Sequence, residues 1–133
     1  MSNRKIMLVD DDVNILNSLE RVLHSESYDL IKCERAMEAW DLLNQLNGEV
    51  DVIVSDNMMP DADGIVLLKM ARRKYPNVVR IMLTGESTLA DAEEAINSAE
   101  VYKFLNKPCK VDKFKTVLEE AINYRDFLVS RDK

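Results

Sequence analysis

Lys5-Ile6-Met7-Leu8-Val9-Asp10-Asp11-Asp12 is an unbroken apolar run that ends abruptly in three consecutive carboxylates. A run this short, with no polar residue alternating through it, reads as a strand buried on both faces. Val13–Ser25 follows at once, with Ile15, Leu16, Leu19, Val22 and Leu23 on one helical face. The same pairing recurs along the chain. Tyr28–Cys33 predicts a strand, and Ala36–Asn47 a helix that stops at Gly48. Val50–Ser55 predicts a third strand. Gly64–Tyr75 predicts a third helix, with Asp63 as N-cap and Pro76 at its end. Val78–Leu83 and Ala90–Asn97 form the fourth pair; Val101–Leu105 and a helix from Val111 to about Arg131 form the fifth. Regular β/α alternation implies a doubly wound α/β fold, a five-stranded parallel sheet with five helices on its two faces.

Composition narrows the chemistry. The 133 residues suit one domain, and 47% hydrophobic with 32% charged residues suits a folded one. A net charge of −6 opposes direct binding to nucleic acid or an anionic membrane surface. No apolar run approaches the ~20 residues that cross a bilayer, and the opening residues Met1–Lys5 lack a signal-peptide core. One histidine, His24, and two distant cysteines, Cys33 and Cys109, exclude a Cys/His zinc site and a CxxC redox pair. Two lone cysteines fit a cytoplasmic location. Three glycines supply neither a P-loop nor a GxGxxG turn. Any chemistry must therefore rest on carboxylates, lysines and hydroxyls.

Such groups stand at the strand ends, where open α/β sheets bind ligands. Strand one runs into Asp10, Asp11 and Asp12. Strand three ends at Ser55-Asp56, strand four at Thr84-Gly85, and strand five near Asn106-Lys107-Pro108. If strands one and three are neighbours, about 4.8 Å apart, then Asp10, Asp11 and Asp56 converge. Clustered carboxylates repel one another unless a cation relieves them, and hard oxygen donors suit Mg²⁺. Asp12 serves as the cap of the first helix. A carboxylate nucleophile, a divalent cation, a lysine and a hydroxyl make a complete phosphoryl-transfer site.

Four segments carry a resemblance: Val9-Asp10-Asp11-Asp12, Asp56-Asn57-Met58-Met59-Pro60-Asp61-Ala62-Asp63-Gly64, Leu83-Thr84-Gly85 and Phe104-Leu105-Asn106-Lys107-Pro108. In this order and spacing the chain resembles the CheY-like response-regulator receiver domains of two-component signalling. The resemblance implies the flavodoxin-like strand order 2-1-3-4-5. It implies Asp56 as phosphoacceptor, with Asp10, Asp11, Asp56 and the Met58 backbone carbonyl around Mg²⁺ (or Mn²⁺). It further implies that Thr84 and Lys107 contact phosphoryl oxygens, that Thr84 and Phe104 form a switch, and that the Lys107–Pro108 peptide is cis. The implied partners are a sensor histidine kinase or phosphotransfer protein, an output domain in cis or a separate effector, and a second copy through helix 4, strand 5 and helix 5. Such a domain is not an enzyme beyond its own phosphoryl transfer and autodephosphorylation.

Some positions depart from the family pattern. Gly85 stands where Ala or Ser is common. Met58 and Glu86, each two residues past a site residue, flank the path of a hydrolytic water; apolar Met58 is expected to slow dephosphorylation. Residues 1–124 read as the receiver, and 125–133 as an extension of the last helix that can link to an output domain. The competing enzyme reading is a haloacid-dehalogenase-like phosphatase, with Asp10 as nucleophile and Asp12 as acid/base. Asn14 misfits its motif, and it leaves the segment from Asp56 to Gly64 unexplained. A degenerate receiver acting only as an interaction module is opposed by intact Asp11, Asp56, Thr84 and Lys107.

Overall fold

In the computed structural model, which describes residues 3–85 and 89–132, the five apolar runs are β1 (Arg4–Val9), β2 (Tyr28–Cys33), β3 (Val52–Ser55), β4 (Val79–Thr84) and β5 (Lys103–Asn106). They pair in parallel in the order β2-β1-β3-β4-β5. Between and after them run α1 (Val13–Val22), α2 (Ala36–Gln45), α3 (Gly64–Lys74), α4 (Leu89–Ser98) and α5 (Val111–Arg131). The apolar runs lack polar alternation because both sheet faces are covered. Met7 and Val9 of β1, Ile53 of β3 and Met82 of β4 pack with α2, α3 and α4 on one face. Ile6, Leu8, Val52, Val54, Ile81 and Leu83, one residue out of phase, pack with α1 and α5 on the other.

Several element ends differ from the sequence expectation, each for a local reason. β3 begins at Val52 rather than Val50, because Asp51 is occupied at the sheet's edge. Its amide donates to the Lys5 carbonyl, and its carboxylate accepts from the Lys5 amide and from Arg4. β5 begins at Lys103 rather than Val101, after Glu100 turns the chain with a φ of 47°. α2 stops through Asn47 as well as Gly48. Asn47, at φ 53°, donates to the Asn44 carbonyl, and the Gly48 amide donates to Leu43, which closes a Schellman turn. Gly48 is required on a second ground: a Cβ there would lie 2.3 Å from the Tyr75 ring. Asp63 holds the N-cap position of α3, but its side chain makes no capping bond.

Arg80 of β4 is a buried cation inside an apolar strand. It donates to the carbonyls of Pro76, Val78, Ala99 and Glu100, so one guanidinium fastens the α3–β4 and α4–β5 turns together. Beyond residue 124 the chain stays helical to Arg131. Asp126 takes a two-pronged bond from Arg4, at 2.6 and 2.9 Å, and Leu128 packs on the core. None of the described helices is long and apolar enough to cross a membrane.

Candidate functional site

The strand order reverses between β1 and β3, which run side by side with Val9 opposite Ser55. The next residue on each strand is therefore a neighbour across that seam, and these residues are Asp10 and Asp56. Backbone bonds continue past the regular ladder and fix them there. The Asp10 amide donates to Cys33, the Asp56 amide to Val9, and the Lys107 amide to Thr84. Thr84 ends β4 opposite Asn106 of β5, which places Lys107 on the same edge.

Asp10, Asp56 and Thr84 are buried, at 4%, 8% and 1% exposure, while Asp11 is exposed. Carboxylate oxygens of Asp10, Asp11 and Asp56 all lie within 4.8 Å of one another. The Lys107 ammonium lies 2.6 Å from Asp10 Oδ2 and 3.5 Å from Asp56 Oδ2. Burial pushes the Asp10 carboxyl above the ordinary aspartate range, against the pull of the Lys107 ammonium and the Asp12 amide. Burial also disfavours the charged form of Lys107, yet the bond to Asp10 and the charges of Asp10 and Asp56 outweigh it, so its pKa is raised. Three carboxylates face one ammonium. The donors are all hard oxygens and their sum is negative, so the cluster fits a hard divalent cation.

The chain around Asp56 is tightly folded. The Asn57 amide donates to Asp56 Oδ1 at 2.8 Å, and the Ser55 hydroxyl donates to the Asp56 carbonyl at 2.8 Å. The loop returns at Gly64, whose amide donates to the Asn57 carbonyl at 2.7 Å. On the other side, Asp12 caps α1 through the Asn14 amide, while its own amide donates to Asp10 Oδ1. The Met58 side chain is 55% exposed. Phe104 is half-buried against the α2–α4 core. The Lys107–Pro108 peptide is cis. Gly85 has space for a Cβ, which would meet Lys107 at an ordinary 3.6 Å. Glu86 lies outside the described residues.

This geometry is that of a known family. The sequence matches the response regulator receiver domain over residues 6–119. The chain belongs to that family. The receiver is 35% identical over 130 residues to the DNA-binding transcriptional regulator NtrC of Proteus hauseri; the match covers 95% of this chain and 26% of that protein. It is 34% identical over 124 residues to a chemotaxis protein CheY homolog of Campylobacter jejuni, covering 89% of this chain and 92% of that one. Its fold superimposes, with a TM-score of 0.89 and 33% identity, on the signal receiver domain of an HD domain-containing protein from Pseudomonas fluorescens Pf-5, over 94% of this chain and 98% of that one. The receiver thus spans about a quarter of the NtrC relative and most of the CheY homolog.

One residue of the receiver's site escapes sequence reading. Asp61, in the loop after Asp56, accepts from the Ala36 and Met37 amides at 3.1 and 2.9 Å. It caps α2 from 25 residues away, where the helix's own N-cap, Arg35, makes no side-chain bond. The one available signal was a helix beginning without a capping residue of its own. These amide bonds hold the Asp61 carboxyl below the ordinary aspartate range. Asp61→Ala is expected to lower stability by about 1 kcal/mol, the typical value of a cap. A carboxyl with a lowered folded pKa stabilises above its unfolded pKa and loses that contribution as pH falls through the folded value. The difference between wild type and Asp61→Ala, measured by urea unfolding, should be full at pH 7 and shrink below about pH 4.

Proposed function

We propose that Asp56 accepts a phosphoryl group from a phosphohistidine and that the receiver relays the change through α4, β5 and α5. The convergence of Asp10, Asp11, Asp56 and Lys107 on one edge of the sheet carries this reading. An Asp56 oxygen attacks phosphorus in line, the phosphorus–nitrogen bond breaks, and the histidine nitrogen leaves with the electron pair. Lys107 meets the charge on the transferring oxygens, and the Thr84 hydroxyl hydrogen-bonds another oxygen of the product. Asp10, Asp11, Asp56 and the Met58 backbone carbonyl would hold Mg²⁺, with Mn²⁺ as a substitute. When bound, the ion supplies charge neutralisation and orients the phosphoryl group.

Aspartyl phosphate then draws Thr84 toward the phosphoryl oxygens, and the Phe104 ring moves into the space it leaves. This is a two-position packing element biased by a local change of charge. With no phenolic hydroxyl, Phe104 reports the state by packing alone. The partners on this reading are a cytoplasmic histidine kinase or phosphotransfer protein and an output domain or effector. A second copy docking on α4, β5 and α5 is a further partner. The receiver catalyses only its own phosphoryl transfer and its hydrolysis.

Intact-mass measurement after treatment with acetyl phosphate tests the proposal. One phosphoryl adduct is expected with Mg²⁺ and none when EDTA removes it. Turnover of a phosphomonoester with no stable adduct would instead mark a phosphatase centred on Asp10. The exposed Met58 side chain offers no polar atom to orient a hydrolytic water. Met58→Asn is therefore expected to shorten the lifetime of phosphorylated Asp56 several-fold, and an unchanged decay would remove Met58 from this role.

A further inference from the structure

Among the described residues, one buried side-chain atom has no hydrogen-bond partner: Asn57 Oδ1, on the residue that follows Asp56. Asn57 is 5% exposed. Its backbone is held on both sides. The Asn57 amide donates to Asp56 Oδ1 at 2.8 Å, and the Asn57 carbonyl accepts from the Gly64 amide at 2.7 Å. Moving the chain to bring the side-chain oxygen to water would break one of these bonds.

The carboxamide is unfavourable in this conformation. Leucine has the same branching with no polar atom, so an unpaired buried acceptor is a cost that an apolar side chain would avoid. Buried polar groups are paired in nearly every folded protein, so this oxygen points to a second conformation in which a donor reaches it.

Strand pairing shows what stands across from it. Ser55 of β3 lies opposite Met82 of β4. Two residues further along each chain, Asn57 comes to the level of Thr84, which is 1% exposed. Thr84 faces the same side of the sheet as Met82, two residues before it. On that side Met82 packs in one core with Phe104 and with Met59, which follows Asn57 by two residues. The unpaired oxygen therefore lies at the end of β4, beside the residue that moves when Asp56 is phosphorylated on the reading above.

We propose that Asn57 is a positioning residue of the switch: its oxygen is unpaired before phosphoryl transfer and gains a donor from the end of β4 afterwards. This rests on the phosphoacceptor role proposed for Asp56. As Thr84 turns toward the phosphoryl oxygens, the Thr84–Gly85 peptide moves with it and brings its N–H to Asn57 Oδ1. The bond belongs to the phosphorylated conformation alone, so it favours that conformation over the other. Satisfying a buried acceptor is worth roughly 5- to 150-fold in such an equilibrium.

Calorimetric titration with beryllofluoride in Mg²⁺, a stable mimic of a phosphoryl group on a carboxylate, tests this on wild type, Asn57→Leu and Asn57→Ala. Both variants should bind beryllofluoride at least about fivefold more weakly than wild type. Both should bind Mg²⁺ alone as tightly, because the Asn57 side chain is not among its ligands. A purely structural Asn57 would shift the melting midpoint and leave the beryllofluoride affinity as it was. One substitution adds volume and the other removes it, so a loss shared by both reports the missing oxygen; circular dichroism confirms that each variant folds. The proposal is overturned if either folded variant binds beryllofluoride as tightly as wild type. It is also overturned if Mg²⁺ affinity falls by the same factor, which would mean that the substitution has displaced Asp56. A wild type that binds no beryllofluoride would overturn the phosphoacceptor reading and this proposal with it.

Discussion

Asp56→Asn is expected to abolish the phosphoryl adduct while leaving the receiver at least as stable as wild type in Mg²⁺-free buffer. The first half follows from chemistry: a carboxamide oxygen is not the nucleophile that forms an acyl phosphate. The second half follows from distances. Asp56 is attracted to Lys107 at 3.5 Å, worth about 5 kcal/mol at an effective dielectric of 20. It is repelled by Asp10 within 4.8 Å, worth at least about 3.5 kcal/mol on the same scale, and by the exposed, more screened Asp11. These opposing contributions nearly cancel. Lys107 also keeps its shorter bond, 2.6 Å, to Asp10. Intact-mass analysis after acetyl phosphate, together with a thermal melt, reads both halves. An adduct surviving in Asp56→Asn would move the phosphoacceptor elsewhere. A large fall in the melting midpoint would show that Asp56 holds the fold together rather than straining it.

The carboxylates could be read from sequence because their placement is strand-local. Asp10 and Asp56 are each the first residue past a strand, with Asp11 next in line, and parallel pairing of β1 with β3 brings these residues together without further information. Lys107 and Thr84 follow from the same rule on β5 and β4. What sequence did not show depends on contacts between elements. Asp61 reads as one more acid in a polar loop until the fold sets it under the amides of α2. Arg80 sits in the apolar run Val78–Leu83, and its purpose appears only when the carbonyls of Ala99 and Glu100 arrive from a turn nearly 20 residues later. The cations and tyrosines at the far edge likewise come together from α3, β4, the turn before β5 and α5. Periodicity assigns those residues to helices and strands one at a time, and says nothing of what their ends share.

Gly64→Ala is expected to damage both stability and phosphorylation, although alanine is the better helix former. On its own helix the change should help. It raises helical propensity and reduces unfolded-state freedom, together about 0.5–1 kcal/mol. The steric cost is larger. A Cβ on Gly64 would lie 2.0 Å from the Asp56 carbonyl oxygen and 2.9 Å from Ser55 Oγ. The first contact is with backbone, so no side chain can swing aside. Either α3 withdraws or the Asp56 peptide moves. Withdrawal breaks the 2.7 Å bond from the Gly64 amide to Asn57, and displacement of the peptide disturbs the Ser55 hydroxyl bond to the Asp56 carbonyl. Overpacking costs about 1–3 kcal/mol and each lost bond about 1 kcal/mol, so destabilisation wins. Both movements also displace Asp56 or the segment carrying the Met58 carbonyl, and a shift of about 1 Å at a reacting group can cost about a hundredfold in rate. Gly85→Ala is the control for stability, because among the described residues its Cβ would approach only Lys107, at 3.6 Å. Urea unfolding of the two variants should separate them clearly, with Gly64→Ala lowered and Gly85→Ala near wild type. Equal midpoints would mean that the approach of α3 to Asp56 is looser than these distances require.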